Sequence, residues 1–96
     1  MADPGLQFEW DEDKAASNLK KHKVAFGEAA TVFADPLAVT FPDPDHSIEE
    51  DRYIIIGMSS RNRVLVVSHT DREDRTRIIT ARKATRRERR AYEEGE

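Results

Sequence analysis

Residues 52–70 read Arg-Tyr-Ile-Ile-Ile-Gly-Met-Ser-Ser-Arg-Asn-Arg-Val-Leu-Val-Val-Ser-His-Thr, two apolar runs separated by a short polar linker. Runs of this length and composition are typical of strands, so we expect strands over 52–59 and 63–70. The linker Ser60-Arg61-Asn62 suits a tight hairpin, because Asn tolerates the left-handed backbone conformation that such turns need. The segment therefore predicts an antiparallel pair of strands.

Three further strands are predicted on either side of this hairpin. Leu6 to Trp10 alternates apolar and polar residues, and Ala38 to Phe41 precedes a polar loop at 42–51 that is rich in turn residues. Thr76 to Arg82 follows a second hairpin loop at 71–75. Because successive strands are joined by hairpins, we expect an antiparallel sheet.

Three helices complete the prediction. The first spans Glu12 to His22, with Asp11 as its N-cap and cations in its last turn, which suits the helix dipole. The second ends at Asp35-Pro36 and has apolar residues at i, i+3, i+4 and i+7, namely Phe26, Ala29, Ala30 and Phe33. The third opens with a capping box, Thr85 to Glu88. The order β-α-α-β-β-β-β-α predicts one small α+β domain over residues 1–96, with the helices on one face of the sheet.

Composition excludes several classes of protein. A chain of 96 residues with 38% hydrophobic residues can fold as one small domain. It contains no Cys, which excludes disulfides, thiol nucleophiles and Cys-based zinc sites. Its three histidines, His22, His46 and His69, are too scattered to suggest a metal site. No apolar run approaches a membrane span and the acidic start is unlike a signal peptide, so we expect a cytoplasmic protein with no metal or cofactor.

Charge is strongly segregated along the chain. Residues 75–90 contain eight Arg or Lys and a single acid, Glu88, so this segment is +7 in a protein whose net charge is −3. Arg86 and Arg87 lie in the first turn of the third helix, where the dipole disfavours cations, so helix stability does not explain them. Because guanidinium groups bind phosphate oxygens two at a time, RNA or DNA is the first partner to expect.

Several fragments also occur in a particular order and spacing between Phe8 and Glu93. They are Phe8-Glu9-Trp10-Asp11 followed by Lys14 and Asn18, then Lys21-His22, Phe26-x-x-Ala29, Val32-Phe33-x-Asp35-Pro36, His46-Ser47, Glu50-x-Arg52, Ile56-Gly57, Arg77-Ile78-Ile79-Thr80-Ala81-Arg82 and Glu88-Arg89-x-x-Tyr92-Glu93. Together they resemble the BrnT toxins of bacterial type II toxin–antitoxin modules. The resemblance implies a RelE-like fold and a ribonuclease that blocks translation. It also implies neutralisation by a BrnA-type antitoxin in a hetero-oligomer, in which operator DNA is bound only through the antitoxin.

One residue departs from the family pattern. The Lys-His-Gly usual at the end of the first helix is Lys21-His22-Lys23 here. Glycine at that position serves a left-handed helix cap, so the substitution bears on cap geometry more than on chemistry.

RNA cleavage without a metal must stabilise charge on the transition state and move two protons. The electrostatic candidates are Arg52, Arg77 and Arg82, and Arg82 ranks first because it lies beside the basic helix. Strict alternation places Arg77 and Arg82 on opposite faces of their strand, so they share a site only if a bulge or the strand end redirects Arg82. The alternative for Arg52 is an ion pair with one of the acids at 49–51.

The candidates for proton transfer each have a structural alternative. They are His22, His46, Tyr92, Lys21 and Glu9. An imidazole titrates near neutral pH, but His22 also suits a helix C-terminus, His46 a turn, and Tyr92 a core position. We assign His69 a structural role. The candidates for RNA binding are Lys21, Lys83, Arg86, Arg87, Arg89 and Arg90.

These residues are compatible with three classes of function. They fit an endoribonuclease toxin, a nucleic-acid-binding module without catalysis, or an interaction protein whose basic face docks an acidic partner. The Arg-rich helix has no Asn or Gln, which indicates phosphate binding rather than reading of base edges by that helix. Cleavage of RNA in EDTA distinguishes the first class from the other two.

Overall fold

The computed structural model of the chain describes residues 7–45 and 51–95. The elements are β1 (Gln7–Glu9), α1 (Glu12–His22), α2 (Phe26–Thr31) with a 3-10 turn (Val32–Ala34), β2 (Val39–Pro42), β3 (Arg52–Met58), β4 (Val64–Arg72), β5 (Arg75–Lys83) and α3 (Arg86–Glu94). This order confirms the predicted α+β arrangement, while Leu6 and His46 lie outside the described residues. No helix in the described ranges is long and apolar enough to cross a membrane.

The sheet has five strands in the order β1-β5-β4-β3-β2. Strands β2 to β5 are antiparallel neighbours, as the hairpins predict. Strand β1 pairs in parallel with β5, from Gln7 opposite Arg75 to Glu9 opposite Arg77, and no hairpin connects these two strands. Because β1 is so short, it covers only the first three residues of β5, and the remaining edge of β5 is left to α1.

The helices cover both faces of the sheet. Core residues of β3 to β5 such as Ile55 pack against α1 and α2, whereas Ile56 belongs to a second cluster that includes Tyr92 of α3. The prediction that all helices lie on one face is therefore wrong. Ile55 and Ile56 are consecutive and both buried, and consecutive strand residues point to opposite faces, so each face needs its own cover.

Left-handed residues cap α1 and α3 and lie in the β3–β4 and β4–β5 hairpins. Asn62 has φ 61°, which confirms the predicted role of Asn in the first hairpin. The second hairpin is tighter than predicted, because β4 and β5 extend to Arg72 and Arg75 and leave a two-residue turn in which Glu73 has φ 54°. Lys23 also has φ 61°, and its N–H donates to the Leu19 carbonyl at 2.9 Å. The left-handed cap of α1 is thus retained without glycine.

Asn18 joins α1 to the open edge of β5. Its Nδ2 donates to the carbonyls of Ala81 (2.8 Å) and Val24 (2.9 Å), and its Oδ1 accepts from the Ala81 N–H (3.1 Å). The buried amide thus provides the hydrogen bonds that a neighbouring strand would otherwise supply. As a result, the last turn of α1, which carries Lys21 and His22, is held against β5.

Asp35 joins the 3-10 turn to β3 and α3. Its carboxylate accepts hydrogen bonds from the Met58 N–H (2.8 Å), the Leu37 N–H (2.9 Å) and the Tyr92 hydroxyl (2.6 Å). Gly57 allows this close approach, because a Cβ there would lie 2.8 Å from the Cβ of Ala38.

Candidate functional site

A β-bulge in β5 determines which arginines share a face. Ser68 lies opposite Thr80 and His69 lies opposite Ile78, so Ile79 is an extra residue with no partner on β4. The bulge shifts the alternation of β5 by one residue. Strict alternation would place Arg77 and Arg82 on opposite faces, so they can share a site only because of this bulge.

Register places all three predicted arginines on one face. Arg77 and Arg82 lie opposite Thr70 and Val66, which are four residues apart on β4 and therefore point to the same side. The Cα atoms of these two arginines are accordingly about 13 Å apart along the sheet. Arg52 lies opposite Thr70 from the other neighbouring strand, about 10 Å from Arg77 at Cα. This is the face that α3 partly covers.

Two of these arginines are oriented by carboxylates. The Arg82 Nη1 and Nη2 atoms donate to the Glu88 Oε1 and Oε2 atoms at 2.7 and 2.8 Å. These hydrogen bonds from Arg82 lower the pKa of Glu88 to about 2. Arg77 Nη1 donates to Glu9 Oε2 at 3.0 Å, which also occupies Glu9, one of the predicted proton-transfer candidates. Because a guanidinium has five N–H donors, both arginines keep donors for a further ligand.

A cationic groove lies between α1 and the bulge. Its volume is about 260 Å³, and its lining residues are Lys14, Ser17, Asn18, Lys21, His22, Ile79 and Thr80. Thr80 lines this groove, while its register places it on the face that carries Arg77 and Arg82. The predicted residues Lys21 and His22 therefore approach β5 from one side, and the two arginines approach the same stretch of strand from the other.

Lys14 and Thr80 line this groove, although the sequence names them only within the family fragments and not among the candidate site residues. Lys14 and Lys21 are seven residues apart, so they lie on one face of α1, and this spacing is a signal that could have been used. Thr80 has no comparable signal, because its place depends on the bulge.

Tyr92 lies apart from the groove. Its ring packs against the cluster of Ile56, Val64 and Val66, and its hydroxyl donates to Asp35. This hydrogen bond, together with burial, raises the pKa of Tyr92 to about 12. This geometry fits the alternative role for Tyr92, a core residue that holds α3 against the sheet, better than the role of a general acid or base.

The remaining predicted cations belong mainly to α3. Arg86, Arg87, Arg89 and Arg90 are exposed, and their side chains form no ion pair or hydrogen bond with any other described residue. Lys83 is exposed at the end of β5, where it and Arg89 line the same groove. These five cations are therefore available to a polyanion.

His69 lies in the core, as its structural assignment requires. It is 6% exposed, its ring lies 4.8 Å from that of Phe33 and 5.9 Å from that of Tyr53, and neither ring nitrogen has a hydrogen-bond partner among the described residues. Burial lowers its pKa, although Asp71 acts in the opposite direction.

Comparison with known proteins gives two similarities. The sequence profile of a family described as "Ribonuclease toxin, BrnT, of type II toxin-antitoxin system" matches residues 10–88. Among solved structures, the crystal structure of the Brucella abortus ribonuclease toxin BrnT is similar, with a TM-score of 0.67 and 23% sequence identity over 84% of this chain and 99% of that chain. At 23% identity, this similarity shows that the two proteins share a fold and nothing more. No curated protein matches the chain.

Proposed function

This chain belongs to the BrnT family of type II toxin–antitoxin ribonuclease toxins, and we propose that it cleaves RNA at the bulge of β5. The observation that carries this placement is the position of Thr80, which lines the α1 groove and lies between Arg77 and Arg82 on their face of the sheet. A phosphate beside Thr80 is within the reach of cations from both sides.

The phosphate is held by charge from two elements. On the α1 side, Lys14 and Lys21 supply ammonium groups. On the sheet side, Arg77 and Arg82 supply guanidinium donors whose orientation is set by Glu9 and Glu88. Cations that are oriented before the substrate arrives stabilise developing charge without further reorganisation, which is the main requirement for phosphoryl chemistry.

The reaction uses the RNA's own 2′-oxygen as nucleophile. His22, half-buried in the groove, accepts the 2′-OH proton as the bond from the 2′-oxygen to phosphorus forms. The bond from phosphorus to the 5′-oxygen breaks, and that oxygen takes up a proton from water or from the imidazolium. Arg82 and Arg77 stabilise the negative charge on the phosphorus oxygens between these two steps. No step requires a metal or an organic cofactor.

The biological setting follows from the family. A type II toxin has an antitoxin partner, and we propose that the partner here is of the BrnA type, forms a hetero-oligomer with the chain and alone contacts operator DNA. Cleavage of cytoplasmic RNA would then inhibit translation when the antitoxin is lost.

A second function is supported by a specific observation. Arg77 and Arg82 are both ion-paired, whereas the four arginines of α3 have no partner among the described residues. A non-catalytic RNA-binding module would need only the α3 arginines.

One experiment separates the two functions. Purified protein is incubated with RNA in EDTA, and products with a cyclic phosphate at one end and a free 5′-OH at the other are sought. We expect cleavage by the wild type and by Lys20→Gln, a matched change on the exposed side of α1. Loss of one acid–base group lowers the rate about 10²–10⁴-fold, so His22→Gln should be at least a hundredfold slower while it still binds RNA. Binding without cleavage by the wild type supports the non-catalytic module.

A further inference from the structure

A second groove lies under α3 at the hairpin end of the sheet. Its volume is about 400 Å³. Met58 and Val64 form an apolar part of its lining, and Asn62, Arg63, Lys83, Arg89 and Glu93 supply polar groups. The groove is thus neither purely apolar nor purely cationic.

This groove lies along β5 from the proposed cleavage site. Lys83 follows Thr80 by three residues in the same strand, so their Cα atoms are about 10 Å apart. At about 3.4 Å per stacked nucleotide, that distance corresponds to roughly three nucleotides of one strand. Arg82 lies between the two positions. A strand of RNA held at Thr80 can therefore extend to the second groove.

The lining residues are better suited to a base than to a phosphate. The carboxylate of Glu93 repels phosphate, so a phosphate-binding function does not explain its presence beside Lys83 and Arg89. A carboxylate does accept hydrogen bonds from exocyclic amino groups of bases. Met58, which is 36% exposed, offers an apolar surface for the face of a base ring.

The hairpin that forms one wall is held in place. The Asn62 N–H donates to the Ser59 carbonyl at 3.0 Å, while Arg63 forms a hydrogen-bonded ion pair with the buried Glu28. Glu28 also accepts from the Ser59 hydroxyl at 2.7 Å. In contrast, the side chains of Asn62 and Glu93 have no hydrogen-bond partner among the described residues, so their polar groups are available to a ligand.

We propose that this groove is a base-recognition subsite, which binds one unpaired base near the cleaved bond and prefers a base with an exocyclic amino group. Glu93 accepts from that amino group, Asn62 contacts the same edge, Met58 contacts the ring, and Lys83 and Arg89 hold the adjoining phosphate. Uracil has no exocyclic amino group and is disfavoured. This inference rests on the proposed RNA-binding function and adds the substrate preference of that site.

The test uses single-stranded RNA oligonucleotides that differ at one position, where cytidine is replaced by uridine. The position is varied in turn on each side of the cut, and both binding and cleavage are measured. We expect the wild type to prefer cytidine at one position by roughly 5- to 150-fold, the discrimination that a good base contact provides. Glu93→Gln should abolish this preference, because an amide can also donate to the uracil carbonyl. Glu94→Gln makes the same charge change at an exposed neighbour that does not line the groove, and it should keep the preference.

The outcomes separate this inference from the cleavage proposal. If the wild type shows no preference between the bases in binding or cleavage, the subsite does not exist. The subsite is also excluded if Glu93→Gln and Glu94→Gln change the preference equally, since a general charge effect then explains it. If the wild type cleaves nothing but binds with a preference that depends on Glu93, the subsite stands and the proposed catalysis fails.

Discussion

Glu88 serves the start of α3 and the candidate site at once. Its Oε1 accepts from the Thr85 N–H at 2.9 Å, while the Glu88 N–H donates to the Thr85 hydroxyl at 3.2 Å, which completes the predicted capping box. The same carboxylate binds Arg82 through both oxygens. The residue that completes the capping box of α3 therefore also orients the arginine that we place at the scissile phosphate.

We predict that Arg82→Ala abolishes toxicity and leaves the fold intact. Loss of one oriented donor to a transition-state charge costs about 2.7–4 kcal/mol, or roughly a hundred- to a thousandfold in rate. The Arg82 side chain is 41% exposed, so solvent screens its ion pair and the free energy of unfolding should fall by only about 1 kcal/mol or less. Cleavage rates and growth after induced expression measure the first effect, and urea unfolding measures the second.

Glu88→Gln is the matched control for this prediction. Glutamine also completes a capping box, so α3 should form as before. The amide oxygen can still accept a hydrogen bond from Arg82, so the guanidinium stays partly oriented. We therefore expect this variant to bind RNA and to lose much less cleavage activity than Arg82→Ala. If this variant loses as much activity as Arg82→Ala, the pair acts through the position of α3 and Arg82 is not the phosphate ligand.

His69 predicts a dependence of stability on pH. Burial lowers the pKa of His69 in the folded state below its ordinary value of 6.5, so the unfolded chain takes up a proton more readily. The stability contributed by neutral His69 is therefore present above about pH 6.5 and is lost as the pH falls below that value. We expect His69→Phe, which removes two buried nitrogens without partners, to raise the free energy of unfolding by about 1 kcal/mol and to flatten its change between pH 7 and 5. Unfolding measured across that pH range checks this, and a wild type that is equally stable at both ends contradicts it.

At the level of elements, α1 ends with a strained residue. Lys23 adopts φ 61°, a conformation that costs a residue with a Cβ about 1 kcal/mol more than glycine. We predict that Lys23→Gly raises the free energy of unfolding by about 0.5–1 kcal/mol, because the gain at the cap exceeds the added entropy of the unfolded chain. Lys20→Gly is the control inside the same helix, where glycine should lower stability by about 1 kcal/mol. Denaturant midpoints give both values, and a destabilised Lys23→Gly would mean that the backbone at this cap is not left-handed.

The elements that the sequence predicts well are those with local signals. Asp11 accepts from the N–H groups of Asp13 and Lys14, and Thr85 and Glu88 cap each other, so both helix starts could be placed from neighbouring residues alone. The parallel pairing of β1 with β5 has no such signal, since it joins the two ends of the chain. The bulge at Ile79 is likewise invisible in the sequence, because it is defined by the register against β4.

For the whole molecule, the candidate site depends on these non-local features. The residues Lys21, His22, Arg77 and Arg82 were predicted by type, but only the short β1, the bulge and the Asn18 bridge bring them to one stretch of β5. The same assembly keeps Tyr92 away from the groove, because its ring packs against Ile56, Val64 and Val66 and its hydroxyl donates to Asp35. The types of residue in the site were therefore easier to predict from the sequence than their positions in the folded chain.

Charge is segregated in the folded molecule as it is in the sequence. The +7 segment of residues 75–90 forms β5 and the first half of α3, and the rest of the chain carries −10. A surface of this kind attracts acidic partners at long range, and salt screens that attraction. The same surface that we propose binds RNA should therefore also guide the antitoxin to the toxin.

We predict that the antitoxin covers this surface with an acidic or apolar segment, burying about 1,600 Å² or more in total. Because steering acts on encounter while apolar anchors govern separation, raising the salt concentration should slow association much more than it speeds dissociation. The double variant Arg86→Ala and Arg87→Ala should associate more slowly at low salt and show a weaker salt dependence, while its dissociation rate changes little. Stopped-flow or surface binding kinetics with the purified antitoxin measure both rates. A non-toxic complex in which Arg77, Arg82 and Arg86 remain open to RNA would contradict inhibition by occlusion, because the antitoxin would then have to act on the toxin's conformation.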